Sequence, residues 1–268
     1  MRNFILLLVI LFSSKIMAVD DSTNIKLYDR SAIVLSNYTF KYSLFTDAEY
    51  KVNEKISILG HPLMFFLSPS LQLKYNFYNK NNLYISSIHG LNYPTLLLRL
   101  VKGKGTGGFI SPEFNIPHIF SINNSIIASV ILKKNHFITG SIGMEFALNN
   151  SNLEPGTSID LPFILPRTMV YYKNIGFNFN IIAEGKLFED FDYHLKNEFF
   201  LFPVNDDDYD YEYQKTSNSF FCEQTGNIFW NIMNTFKLGV GGKLSYGTYP
   251  FGTQWHLIPF IDFVKYIE

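Results

Sequence analysis

From residue 38 onward the chain alternates. In Tyr38-Thr39-Phe40-Lys41-Tyr42-Ser43-Leu44, aromatic or apolar residues take every second position, and Thr39, Lys41 and Ser43 take the positions between. Residues spaced by two share one face of a β-strand, so this stretch predicts a strand with two unlike faces. The pattern recurs where Leu71, Leu73, Tyr75 and Phe77 alternate with Gln72, Lys74 and Asn76, ahead of the turn-forming cluster Asn79-Lys80-Asn81-Asn82. Ile138, Ile142, Met144, Phe146 and Leu148 oppose Thr139, Ser141, Gly143 and Glu145. Ile175, Phe177, Phe179, Ile181 and Ala183 oppose Gly176, Asn178, Asn180 and Glu184. Phe191, Tyr193 and Leu195 oppose Asp192, His194, Lys196 and Glu198; Phe236, Leu238, Val240, Leu244 and Tyr246 oppose Lys237, Gly239, Gly241, Lys243 and Ser245. Weaker stretches at 83–91, 95–101, 125–132, 168–172, 219–230 and 255–266 bring the expectation to about twelve strands, within roughly ten to fourteen. Residues 79–82, 133–135 and 173–174 read as short turns, and 62–69, 103–117, 149–166 and 203–218 as long loops.

The composition of the two faces says what each one meets. In a soluble sandwich the outward face is washed by bulk water and carries mostly Lys and Glu. Here the polar face carries Thr, Ser, Asn, Gln and Gly with scattered charges, which suits a confined, hydrated lumen. Only 17% of residues are charged, while 17% are aromatic, including 27 Phe and 17 Tyr, so the other face suits hydrocarbon. After residue 18 no apolar run approaches the ~20 residues of a membrane helix. A closed β-barrel is the other structure that satisfies every backbone group in lipid. The expected fold is therefore all-β, a closed antiparallel transmembrane barrel. Aromatics near strand ends (Tyr75, Phe77, Tyr78 and Tyr84; Tyr171 and Tyr172; Tyr246, Tyr249, Phe251 and Trp255) fit girdles at the two interfaces. A secreted β-sandwich with these rings in its core is the soluble alternative.

The N-terminus reads as a secretory signal peptide: Met1-Arg2-Asn3 is positive, 4–12 are apolar, and 13–18 end in the small residue Ala18. The expectation is a signal at 1–18 and a barrel over 19–268. A formal net charge of -1 removes the electrostatic case for a nucleic-acid partner. The single cysteine, Cys222, excludes a disulfide framework and paired-cysteine zinc sites.

With this pattern the chain resembles bacterial outer-membrane β-barrel proteins as a broad class, across most of residues 38–266. The segment 255–266 is an aromatic and apolar final strand like those the barrel-assembly machinery reads in that class, although the chain ends in Glu268 in place of an aromatic residue. The resemblance implies the bacterial outer membrane as location, with membrane lipid and lipopolysaccharide as partners and the assembly machinery as a partner in biogenesis. It implies passive work: solute permeation through an open lumen, or a structural and surface-interaction role if the lumen is filled.

The lumen-facing charges would be Lys41, Lys74, Lys196, Lys237 and Lys243 against Glu145, Glu184, Asp192 and Glu198, with His194 among them. Such a balance predicts weak ion selectivity, or a polar network that fills a narrow barrel. Gly103, Gly105, Gly107 and Gly108 match a dinucleotide-binding spacing, but Pro112 and Pro117 follow where a helix would have to start, which leaves a tight loop at the barrel mouth or one folded into the lumen. Asp206, Asp207 and Asp208, among tyrosines, suit a solvated outer loop; they lack the spacing and glycine of an EF-hand calcium loop. An enzyme acting on lipid or peptide is the alternative function, with Ser87 and His89 or Asp192 and His194 as weak pairs, since no nucleophile signature accompanies them. No cofactor, metal site or catalytic residue is expected.

Overall fold

A computed structural model describes residues 26–62, 65, 69–104, 110–132, 136–151, 153–154, 157–203, 220–249 and 252–268. Its strands are β1 (Phe40–Ser43), β2 (Ala48–Lys51), β3 (Ile56–Gly60), β4 (Ser70–Lys80), β5 (Leu83–Asn92), β6 (Ile119–Leu132), β7 (His136–Asn149), β8 (Ile175–Phe188), β9 (Phe191–Leu201), β10 (Phe220–Met233), β11 (Phe236–Tyr249) and β12 (Gly252–Ile267). Every strand is antiparallel to its sequence neighbour, and β1 closes the barrel on β12 from Phe40↔Ile267 to Ser43↔Val264. Among the described residues three short helices lie in connections: α1 (Thr95–Leu100) between β5 and β6, and α2 (Leu165–Thr168) and α3 (Val170–Lys173) between β7 and β8. No helix among the described residues is long and apolar enough to cross a membrane.

The alternation sorts the wall as period-two geometry requires. Leu257 is 74% exposed, and Trp255, Ile261, Leu91, Ile142 and Leu148 are also exposed on the outside. Ser43, Ser57, Lys74, Ser86, Ser121, Ser129 and Thr139 are buried inside. Large apolar side chains on the exterior and hydroxyls on the interior are the reverse of a water-soluble core, and they match a wall set in hydrocarbon. Cys222 alternates with the inward Phe221 and Glu223 and so belongs to the outer face.

The two ends of the barrel differ. One end carries tight connections, among them Asn81-Asn82, whose φ of 52° and 64° are the paired left-handed values of a two-residue hairpin turn. The other carries the long connections 61–69, 93–118, 150–174 and 202–219. We call these the turn end and the loop end.

Several sequence expectations are corrected. Residues 95–101 and 168–172 are helical instead of extended: Leu96, Leu97 and Leu98 run without alternation, and Pro166 stands in the first turn of α2, where its missing N–H costs nothing. Residues 173–174 close a long connection and do not form a turn of their own; α3 ends at Asn174, whose φ of 60° is left-handed. In place of the two lost strands stand β2 and β3, four and five residues long, which are too short for a period to register. Tyr171 and Tyr249 sit in a buried cluster with Leu98, Ile119, Leu165, Phe202 and Phe221 at the loop end, away from any interfacial girdle. Tyr84 likewise packs inside, against Leu59, Ile88 and Ile127. The lumen is thus polar at mid-height and apolar towards both ends, because chain segments pack into it there.

Candidate functional site in the barrel interior

Before its first strand the chain runs inside the barrel. Lys26 Nζ donates to the Asn234 carbonyl in the β10–β11 turn, which places the entry at the turn end. The innermost point is Asp29-Arg30. The Arg30 guanidinium pairs with Asp47 in the β1–β2 connection. The Asp29 carboxylate lies 3.3 Å from His194 Nε2 and 3.0 Å from Lys196 Nζ on β9. The segment then returns, since Leu27 and Ile33 share one cluster with Ile131 and Phe137, and Tyr38 packs on Tyr266 at 5.1 Å just before β1.

A segment without regular structure inside a protein must find partners for its own backbone. The wall supplies them. Lys41 Nζ donates to the Tyr28 and Asp29 carbonyls at 3.0 and 3.2 Å, and Lys74 Nζ to those of Ser31 and Ile33 at 3.2 and 2.8 Å. Asn76 Nδ2 and Ser86 Oγ both donate to the Ala32 carbonyl, at 3.0 and 2.6 Å. Tyr266 Oη donates to the Leu27 carbonyl at 3.1 Å and Lys237 Nζ to that of Lys26 at 3.3 Å. In the other direction the Ala32 N–H donates to Ser129 Oγ and the Tyr28 N–H to the Glu184 carboxylate, both at 2.8 Å. Side-chain anchors are fewer: the Tyr28 hydroxyl donates to Asp262 at 2.5 Å, and the Tyr28 ring stands edge-on to His194 at 4.7 Å.

From Asp29 a line of charges climbs to the loop end. Lys196 bridges Asp29 and Glu198, at 3.0 and 3.1 Å. Arg167, carried down by α2, reaches Glu198 at 3.1 Å and forks onto both Glu223 oxygens at 2.8 Å. Lys243 Nζ donates to Glu223 at 2.8 Å. Burial acts to raise the Asp29 carboxyl, but Lys196, His194 and the Arg30 amide overcome it and hold Asp29 well below the usual carboxylate range. The Arg167 and Arg30 side chains are 39% and 38% exposed although they lie within the barrel. The middle of the lumen therefore leaves open space beside both guanidinium groups.

The residues singled out from sequence divide accordingly. Lys41, Lys74 and Lys237 hold the N-terminal segment; Lys74 also pairs with Glu49 at 2.6 Å and Lys237 with Asp192 at 2.6 Å. Glu184, His194, Lys196, Glu198 and Lys243 meet the segment or the charge line as described above. Glu145 lies opposite Asn123 and Gly176, apart from them. Gly103 donates its N–H to the Ile110 carbonyl at 3.0 Å, which holds these two residues together. Gly105, Gly107, Gly108, Asp206, Asp207 and Asp208 lie outside the described residues, as does the signal segment at 1–18. His89 Nδ1 meets Asn124 Oδ1 at 2.7 Å on the outer face, and Asp192 pairs with Lys237 instead of His194.

Sequence reasoning passed over Asp29, Arg30, Asp47, Glu49, Arg167, Glu223 and Asp262. Glu223 had a signal: it shares parity with Thr225 and Asn227, but the inward Phe221 and Phe229 blur the alternation of β10. With Glu49, Glu223 and Asp262 added to the four expected acids, seven wall carboxylates among the described residues face the five expected lysines and Lys51.

No protein-family model matches the sequence, and neither does any curated protein. Solved structures do match in fold. The NanC porin aligns with TM-score 0.50 at 7% identity, covering 85% of this chain and 98% of its own. An outer-membrane channel from Pseudomonas putida F1 aligns with TM-score 0.50 at 8% identity, covering 93% of this chain and 100% of its own. The chain has the fold of bacterial outer-membrane β-barrel proteins.

Proposed function

We propose that the chain is an outer-membrane channel for small polar solutes, narrowed from the turn end by residues 26–38 and from the loop end by the β7–β8 connection. The observation that carries this reading is the line of charges from Asp29 through Lys196, Glu198 and Arg167 to Glu223 and Lys243, along which the Arg167 side chain is still 39% exposed inside the barrel. A barrel that only needed filling would be cheaper to fill with apolar side chains, because burying charges costs several kcal/mol per ion unless each is paired or hydrated. Proteins of like fold include a porin and a channel, in keeping with such a role. Most interior charges are paired, so selectivity between cations and anions would be weak. The apolar exterior would meet outer-membrane lipid, with the loop end towards lipopolysaccharide, and β12 would be the strand that the assembly machinery engages.

A permanently filled structural barrel is the competing reading, favoured by the apolar cluster of Leu98, Ile119, Phe221 and Tyr249 at the loop end. Planar bilayers separate the two. The channel reading expects discrete conductance steps that grow when Arg167→Ala and Asp29→Ala loosen the two constrictions. Silence from the native protein and from both variants, at several salt concentrations, would refute it. Outer-membrane fractionation and a heat-dependent shift on a denaturing gel check the location and the barrel.

A further inference from the structure

The bonds that hold residues 26–33 are mainly to main-chain atoms. Carbonyls of Lys26, Leu27, Tyr28, Asp29, Ser31, Ala32 and Ile33 each accept from a wall side chain. Main-chain groups are common to every polypeptide, so a wall built this way recognises a peptide path and only secondarily a sequence. Sequence enters at four main positions: the Tyr28 hydroxyl on Asp262, the Asp29 carboxylate between His194 and Lys196, the Arg30 guanidinium on Asp47, and Ala32, whose 0% exposure leaves no room for a larger side chain.

We propose that the turn-end half of the lumen is a polypeptide-binding site, occupied at rest by the chain's own residues 26–36 and able to exchange them for another polypeptide presented from the turn end. The ligand class is a short bent peptide with an aromatic-acidic-basic triplet at its tip and a small residue three positions after the acid. The donors belong to strands that pair with one another around the barrel, so they stay in place when the segment leaves: Lys74 and Asn76 on β4, Ser86 on β5, Lys237 on β11 and Tyr266 on β12. Lys41 on β1 and Lys51 on β2, which donates to the Ser36 carbonyl at 2.9 Å, belong to the same set. The resident segment has the advantage of tethering, which acts as an effective concentration in the millimolar range, so a free peptide competes only when the resident is weakened. This inference goes beyond the channel reading and does not need ions to pass.

The test uses the full chain folded in micelles and a fluorescent peptide with the sequence of residues 26–36. Ala32→Trp cannot seat its indole and should release the resident segment, seen as new trypsin cleavage after Arg30. The peptide should then bind this variant saturably, at least about ten-fold more tightly than it binds the native chain. A scrambled peptide that keeps the aromatic-acidic-basic triplet and the small residue in place should bind within about ten-fold of the original. Adding Lys41→Met and Lys74→Met to the Ala32→Trp background should abolish binding. If Ala32→Trp does not fold, Asp29→Lys, which sets a like charge against Lys196, takes its place. A released segment with no saturable peptide binding overturns the proposal. So does a segment that stays protected from trypsin in both variants, because it is then a fixed part of the wall. Loss of conductance in bilayers with peptide binding intact would remove the channel and leave this site standing.

Discussion

Lys74 has no contact with solvent, and everything its ammonium touches is an acceptor: Glu49 at 2.6 Å and the carbonyls of Ser31 and Ile33. Glu49 is buried as well, at 3% side-chain exposure. Removing one member of a buried pair leaves an uncompensated charge, which typically costs about 3–5 kcal/mol. Lys74→Met should therefore lower stability by about that amount in urea unfolding from lipid vesicles, and Lys74→Met with Glu49→Gln should recover part of the loss, because the stranded carboxylate is gone. A loss below about 1 kcal/mol for the single variant would mean that water reaches Glu49. At this scale the sequence was half informative. Lys74 stands between Leu73 and Tyr75, and alternation alone assigns it to the interior. Its partners were hidden. Glu49 belongs to a strand too short to show a period, and Ser31 and Ile33 lie in a segment whose backbone bonds leave no trace in side-chain pattern.

The elements explain which parts of the wall could be read. Strands β6, β7, β8, β10 and β11 are 14 residues long, enough to cross the ~30 Å of hydrocarbon even when tilted, and their alternation was plain apart from β6 and β10. Strands β1 and β2 have four residues each and rise only about 13 Å. On that side β12 outruns its partner, and the Asp262 carboxylate covers the point where they part, accepting from the Leu44 N–H at 3.0 Å and Ser43 Oγ at 2.8 Å. The mistaken strands at 95–101 and 168–172 have a related cause: apolar runs in long connections bury themselves in the barrel mouth, and burial without alternation does not distinguish helix from strand. The tall wall has its own constraint on β11. A Cβ at Gly247 would come within 2.1 Å of the inward Phe221 ring, and one at Gly239 within 2.3 Å of the Phe229 ring. Gly247→Val should cost about 1–3 kcal/mol through overpacking, read as a lower temperature for the mobility shift of the folded barrel on gels. Phe221→Ala in the same chain should restore most of that temperature if the clash is the cause, and should lower it further if the ring's packing against Tyr249 at 5.8 Å matters more.

For the whole molecule, the N-terminal segment and the loop-end helices are one electrostatic unit, because Lys196 and Glu198 stand between Asp29 and Arg167. Asp29 makes this testable. Its carboxyl is held well below the ordinary range, so ionised Asp29 favours the seated segment over the released one. A depressed pKa contributes fully above the released-state value, about 3.9, and the contribution fades only as pH falls through the lower, seated value. Hydrogen exchange of residues 26–36, corrected for its intrinsic pH dependence, should therefore show constant protection from pH 7 to about 4 and a loss only below that. Asp29→Asn should be less protected at every pH in that window and flat across it, since the titrating group is gone while Lys41, Lys74 and Tyr266 still hold the backbone. Protection that fails with a midpoint above pH 4 in the native chain, unchanged in Asp29→Asn, would assign the latch to another carboxylate. Glu184 is the first to consider, because it accepts the Tyr28 N–H and stands beside His194 across the β8–β9 pairing.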